Sequence, residues 1–214
     1  MQIYLRNNNS ENLILFFCGW GMDENPFSLL KSDSDILFVY DYTQPDFEYD
    51  FSKYKKVTLL AFSYGVYASA IAKLPEISYS VAINGTLVPV DSSYGVPPKQ
   101  FALSEKMDSN TVVKFRQRLF AGEKAGEHFE IFENHLPQRS ASSCTEELLG
   151  MKNYFSKYPV LERTFDKVYI GMFDRVVPSK NQINFWQKQN QSNIIELETG
   201  HFPFYNFDSF EEIL

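Results

Sequence analysis

Ser63 stands in "AFSYG", residues 61–65, with a small residue two places before it and a glycine two places after. A serine hydroxyl becomes a nucleophile toward an acyl carbon when a histidine takes its proton and a carboxylate holds that histidine in place. The chain has 3 histidines. His128 and His135 lie mid-chain among Glu and Phe at helical spacing, where solvent-facing or packing roles suit them. His201 instead follows the last apolar run, in "ETGHFPF", at a Gly-His turn. Asp174, in "VYIGMFDRVVPSKN", falls between Ser63 and His201, the chain order in which an orienting acid is expected. It would equally suit a turn or the start of a helix. Asp166 precedes the same apolar run and would sit at the opposite edge of a sheet. In "FCGWGM", Gly19 and Gly21 flank Trp20 and let backbone come close to a reacting carbonyl. An N–H from that loop and the N–H of Tyr64 would form the donor pair for an oxyanion. Trp20 then borders the site, unless it only packs the core.

These residues need elements that deliver them to one place. Six apolar runs read as strands: Asn12–Phe17, Asp35–Thr43, Lys56–Phe62, Ser78–Thr86, Phe165–Asp174 and Asn193–His201. They lack period-two alternation, which suits strands covered on both faces of a parallel sheet. Helical patterns lie between several of them, at Tyr64–Lys73 and Lys180–Lys188. The alternation predicts an α/β fold with a mostly parallel, doubly wound sheet. Ser63 would occupy the sharp strand-to-helix turn of a nucleophile elbow, G-x-S-x-G, with Ala61 replacing the first glycine. Gly65 keeps the position that lets strand and helix pass closely. The separate parts all follow strands, and ligand sites in open α/β sheets gather at those carboxyl ends.

One connection is too long for a crossover, running from Leu87 to Thr164. Its segments "DSNTVVKFRQRLFAGE", "EHFEIFENHLP" and "TEELLGMKNYFSKY" read as short helices, a cap or lid over the sheet. A single domain spanning 1–214 is expected, with a helical lid insertion at about 99–160. At 214 residues and 44% hydrophobic, the chain is large enough for a core. A net charge of −7 argues against a general nucleic-acid binder. No apolar run approaches the ~20 residues of a bilayer span, and the N-terminus lacks the order of a secretion signal. The 2 cysteines, Cys18 and Cys144, form no metal-ligand spacing and read as reduced thiols.

Together "FFCGWG", "AFSYGV", "GMFDRVVP", "GHFPF" and the lid with "FRQRLF" resemble the α/β-hydrolases, and among them the BioG-type pimeloyl-[acyl-carrier protein] methyl ester esterases. The resemblance implies a cytoplasmic carboxylesterase of biotin synthesis that removes a methyl group from a pimeloyl ester carried on acyl carrier protein; a monomer is expected. It implies Ser63 as nucleophile, His201 as proton carrier and Asp174 as its orienting acid. Gly19, Trp20 and Tyr64 would border the substrate and the oxyanion site. No metal or organic cofactor is implied, and neither nucleic acid nor membrane is expected as a partner. Lys114, Arg116, Arg118 and Lys124 form a basic stretch in an acidic chain, suited to an acidic carrier protein or simply to a solvated helix face. Another hydrolase on this scaffold (a thioesterase, lipase or C–C hydrolase) stays open, as does a binding module without catalysis.

Overall fold

The computed structural model describes residues 1–105, 108–158 and 162–214. Residues 106, 107, 159 and 160 of the expected lid span lie outside the described residues. Among the described residues, seven strands form one sheet in the order β1-β3-β2-β4-β5-β6-β7. They are β1 (Gln2–Arg6), β2 (Asn12–Phe17), β3 (Asp35–Tyr40), β4 (Lys56–Phe62), β5 (Tyr79–Ile83), β6 (Lys167–Gly171) and β7 (Ile194–Leu197). Every pairing from β3 to β7 is parallel. The edge strand β1 pairs antiparallel with β3 and has no counterpart among the expected strands.

Alternate residues of the central strands feed two separate cores. Leu13, Leu15, Phe17, Leu59 and Ala61 point to one face, where helix α1 (Tyr64–Ile71) contributes Val66, Tyr67 and Ala68. Phe185 and Trp186 of α6 (Ser179–Lys188) cover the same face. Ile14, Phe16, Phe38, Leu60 and Phe62 point to the other. There the cover consists largely of aromatic side chains from loops and short 3-10 turns: Phe27, Phe202, Phe204 and Phe210. Phe27 alone meets Phe16, Phe38, Phe202 and Phe204 at ring-centroid distances of 4.8 to 6.0 Å. The second layer of a doubly wound sheet is thus built here with few helical residues. Large rings supply the buried area that a helix face would otherwise provide.

Between β5 and β6 lie α2 (Pro98–Ser104), α3 (Ser109–Arg118), α4 (Ala125–Asn134) and α5 (Ala141–Lys157). Ser140 caps α5 by accepting the Ser143 N–H, a satisfied first-turn donor that sets where this helix starts. These helices lie beside the carboxyl ends of β2, β4 and β6, where Ser63, Asp174 and the Gly-rich loop emerge.

Candidate active site

Ser63 follows β4 directly and has φ 55° and ψ −122°, a backbone conformation that non-glycine residues rarely hold. Its N–H donates to the Ile83 carbonyl at 2.8 Å, which ties the turn to the end of β5. Close approach of neighbouring backbone explains the glycines around it. A Cβ at Gly65 would lie 2.2 Å from the Phe17 carbonyl oxygen, and one at Gly85 would lie 2.2 Å from the Ser63 carbonyl oxygen. Ala61, by contrast, sits in regular register between Phe17 and Ala82, fully buried. One methyl group fits there, so the departure from a glycine leaves the turn intact.

The Ser63 hydroxyl lies 2.9 Å from His201 Nε2, and His201 Nδ1 lies 2.7 Å from Asp174 Oδ2. Both partners are buried, and nothing in the chain order alone fixed these distances. Asp174 uses its two oxygens differently. Oδ1 accepts the N–H groups of Val176 and Val177 at 2.7 and 3.0 Å, closing the turn into α6. Oδ2 faces His201 and also accepts from Gln182 Nε2 at 2.9 Å. The turn role and the histidine-facing role therefore coexist in one carboxylate.

Gln182 and Asn84 are not apparent in the sequence as site residues. Gln182 Nε2 also reaches the Val177 carbonyl at 2.8 Å, so it braces the acid's turn. Asn84, just past β5 with φ 47°, donates to the carbonyls of Gly200 and His201 and accepts the Gly171 N–H at 2.6 Å. An asparagine before glycine at a strand end is the one available signal for it.

The loop after β2 places Gly19 and Trp20 against Ser63. A Cβ at Gly19 would come within 3.2 Å of the Ser63 Cβ. Among the described residues, no protein acceptor takes the backbone N–H of Trp20 or Tyr64. Free donors beside a serine hydroxyl are what a developing oxyanion requires. The Trp20 indole Nε1 donates to the Cys144 carbonyl at 2.8 Å and its ring meets Phe115 at 5.1 Å. Tyr64 is buried against Tyr42, Tyr67 and Phe155, and its hydroxyl has no partner among the described residues.

A cleft of about 800 Å³, including its open mouth, has Ser63 and His201 in its wall. Gly19, Trp20 and Tyr64 border it, and Phe101, Phe115, Leu119, Leu148 and Met151 make most of the rest apolar. That apolar lining suits an apolar chain. The four cations of the basic stretch do not face one way. Arg118 reaches the cleft rim and donates to the Arg175 carbonyl at 2.9 Å. Arg116 turns toward a separate small cavity behind Trp20, where burial holds its guanidinium below the usual range. Lys114 is exposed one turn before Arg118, and Lys124 borders a polar hollow with His128 and Glu198. His128 packs on Tyr205, and His135 Nδ1 meets the Ile131 carbonyl, so neither joins Ser63. Asp166 accepts from the Ser80 N–H and hydroxyl at the far end of the strands.

Comparison with known proteins places this arrangement. The crystal structure of BioG from Haemophilus influenzae superposes with a TM-score of 0.89 at 26% identity, over 100% of this chain and 99% of that one. An esterase from Exiguobacterium antarcticum has a TM-score of 0.66 at 18% identity, over 95% and 90% of the two chains, and shares the α/β-hydrolase fold. A malonyl-[acyl-carrier protein] O-methyltransferase from Bacteroides fragilis (strain 638R) is 36% identical over 182 residues, 82% of this chain. The chain spans only 36% of that relative's length. No helix among the described residues is long and apolar enough to cross a membrane. Residues 1–213 match the family described as pimeloyl-ACP methyl esterase BioG, and with that match over almost its full length the chain belongs to the BioG family.

Proposed function

We propose that this protein is a serine carboxylesterase that hydrolyses the methyl ester of a pimeloyl group carried on acyl carrier protein. The observation that carries the reading is the continuous path from Ser63 Oγ through His201 to Asp174, at 2.9 and 2.7 Å, opening on an apolar cleft. In this reading His201 Nε2 takes the Ser63 proton as Oγ attacks the ester carbonyl. The oxyanion forms against the N–H groups of Trp20 and Tyr64. His201 then returns the proton to the departing methoxide, which leaves as methanol, and a water molecule repeats the cycle on the acyl-enzyme to release a carboxylate. Asp174 holds the histidine with its proton on Nδ1, so that Nε2 stays free to accept.

The methyl ester is favoured over a thioester by family membership and by the relative named as an O-methyltransferase acting on a carrier-bound malonyl group. A methyl group placed on a carboxylate is the bond such an esterase removes. The acyl chain would lie along Phe101, Phe115, Leu148 and Met151, with the carrier protein outside and Lys114 and Arg118 toward it. The reading includes a single domain whose lid comprises α2 to α5.

The test is methanol release from a pimeloyl methyl ester on acyl carrier protein, run beside thiol release from the same substrate. The wild type should release methanol and leave the thioester intact, and Ser63→Ala should lose on the order of 10⁶ in rate with fluorophosphonate labelling abolished. Thiol release in place of methanol would convert the assignment to a thioesterase. Retained hydrolysis by Ser63→Ala would remove Ser63 as the nucleophile.

A further inference from the structure

Glu147 is fully buried in the second turn of α5, and each of its carboxylate oxygens is engaged. Oε2 accepts the Gly21 N–H at 3.1 Å and lies 3.3 Å from Arg139 Nη2. Oε1 accepts the Tyr42 N–H at 3.1 Å. Tyr42 in turn donates its hydroxyl to the Cys18 carbonyl at 2.6 Å. The glycine loop after β2 is therefore held at both ends through one lid carboxylate, at Gly21 directly and at Cys18 through Tyr42. A third tie comes from the turn before Glu147 on the same helix, where the Cys144 carbonyl takes the Trp20 indole.

The loop needs such ties. Gly21 has φ 70°, and two glycines around Trp20 leave its peptide planes free to rotate. Trp20 lines the cleft; its N–H belongs to the peptide plane before it, and the Gly21 N–H belongs to the plane after it. Fixing the second plane and the indole together fixes the first. Arg139 is the counter-charge of this carboxylate and is shared with Asp41, which it approaches at 3.4 Å.

We propose that Glu147 is a positioning residue for ester hydrolysis, acting through Gly21 to aim the Trp20 N–H at the reacting carbonyl, so that the lid helix assembles the oxyanion site as it packs. The proposal rests on Ser63 being the nucleophile. Glu147→Gln keeps the size but has one acceptor oxygen, so an amide NH₂ must face either the Tyr42 or the Gly21 N–H. Glu147→Ala removes both acceptors.

The experiment compares wild type, Glu147→Gln, Glu147→Ala and Ser63→Ala on a small methyl ester and with two inhibitors. One is a trifluoromethyl ketone, whose adduct with the serine places an oxyanion in the site; the other is the corresponding unreactive thioether. Glu147→Ala should lose about 10²-fold in kcat with KM within about threefold, the pattern of a contact made only in the transition state. Affinity for the trifluoromethyl ketone should fall by a similar factor while thioether affinity holds. Glu147→Gln should show the same pattern at about tenfold, and it carries the test if the alanine variant does not fold. Unchanged kcat and ketone affinity overturns the proposal, and so does an equal loss for both inhibitors, which would make Glu147 a packing residue of the lid. Activity in Ser63→Ala would instead sink the nucleophile assignment and this proposal with it.

Discussion

The side-chain amide of Asn84 donates to the His201 carbonyl at 2.8 Å while its oxygen accepts the Gly171 N–H at 2.6 Å. One side chain thus joins the ends of β5 and β6 to the loop that presents the imidazole. Asn84→Ala leaves a buried N–H and buried carbonyls without partners, a loss of about 2 kcal/mol in stability. It should also lower kcat about tenfold by loosening the His201 loop. Asn84→Asp should be worse, because a carboxylate would face two carbonyl oxygens. Urea unfolding and steady-state kinetics on the same preparations measure both effects.

Asp174→Asn should cut kcat by about 10⁴ with a small change in melting temperature. The two N–H groups of Val176 and Val177 claim the amide oxygen, so the NH₂ must face His201 Nδ1. The imidazole then carries its proton on Nε2 and cannot accept from Ser63. A variant that keeps its turnover while losing stability would mean that Asp174 serves only the turn.

Gly65→Ala and Ala61→Gly should behave oppositely. An alanine at 65 would press within 2.2 Å of the Phe17 carbonyl oxygen, so it should destabilise by about 3 kcal/mol and displace the Gly19 loop. A glycine at 61 restores the usual elbow pattern, yet it should cost about 1 kcal/mol of strand stability and leave kcat near wild type. Chemical denaturation with ester turnover would reveal any other ordering.

Burial pushes the Glu147 carboxyl up from 4.5 to about 7, with Arg139 pulling it back and Asp41 adding to the rise. The Met1 amino group is a further charged neighbour, while the nearby Cys18, Cys144, Tyr42 and Tyr64 are all pushed up by burial. Between those two values the folded chain holds a proton that the unfolded chain has released. Stability from this group is therefore present at low pH and lost as pH rises through about 7. The melting temperature of wild type minus that of Glu147→Gln should fall from pH 4.5 to pH 7 and then level. A difference that rises over this window would contradict the assignment.

Charge reversal at Lys114 and Arg118 should raise KM for the carrier-bound methyl ester about tenfold and flatten its salt dependence. A short soluble methyl ester should change far less, within about threefold. Equal losses on both substrates would mean that Arg118 holds the lid through the Arg175 carbonyl and plays no part in carrier recognition.

The strands that carry the site were legible because both of their faces are buried, which leaves long apolar runs. β1 was not: Gln2, Ile3 and Tyr4 are exposed, and only its backbone pairing with β3 makes it a strand. The meeting of Ser63, Asp174 and His201 was legible because each follows a separate strand. Gln182 and Asn84 could not, since a polar side chain within a helix or after a strand carries no mark of the backbone groups it will meet. The Asp41, Arg139 and Glu147 network was equally hidden, because its members are brought together only by the packing of α5. The basic stretch shows the opposite limit. Residues close in sequence looked like one patch, but helical geometry sends Arg116 and Arg118 toward different cavities.

Phe202 and Phe204 follow His201 immediately and are sunk in the aromatic layer with Phe16, Phe27 and Phe62. The histidine is thereby moored to the aromatic core, while the lid contributes Phe101, Phe115, Leu119, Leu148 and Met151 to the cleft wall. Substitutions at Phe101 and Met151 can reshape what enters the cleft, whereas Leu119 and Ala121 also hold the histidine loop, their carbonyls accepting the Phe202 and Gly200 N–H groups. Amide exchange should be slow at Phe202, whose N–H is buried and bonded to the Leu119 carbonyl, and faster along α2 and α3. A scaffold built in this way can change what its cleft admits only through the few roof side chains that tie down neither the histidine loop nor the glycine loop.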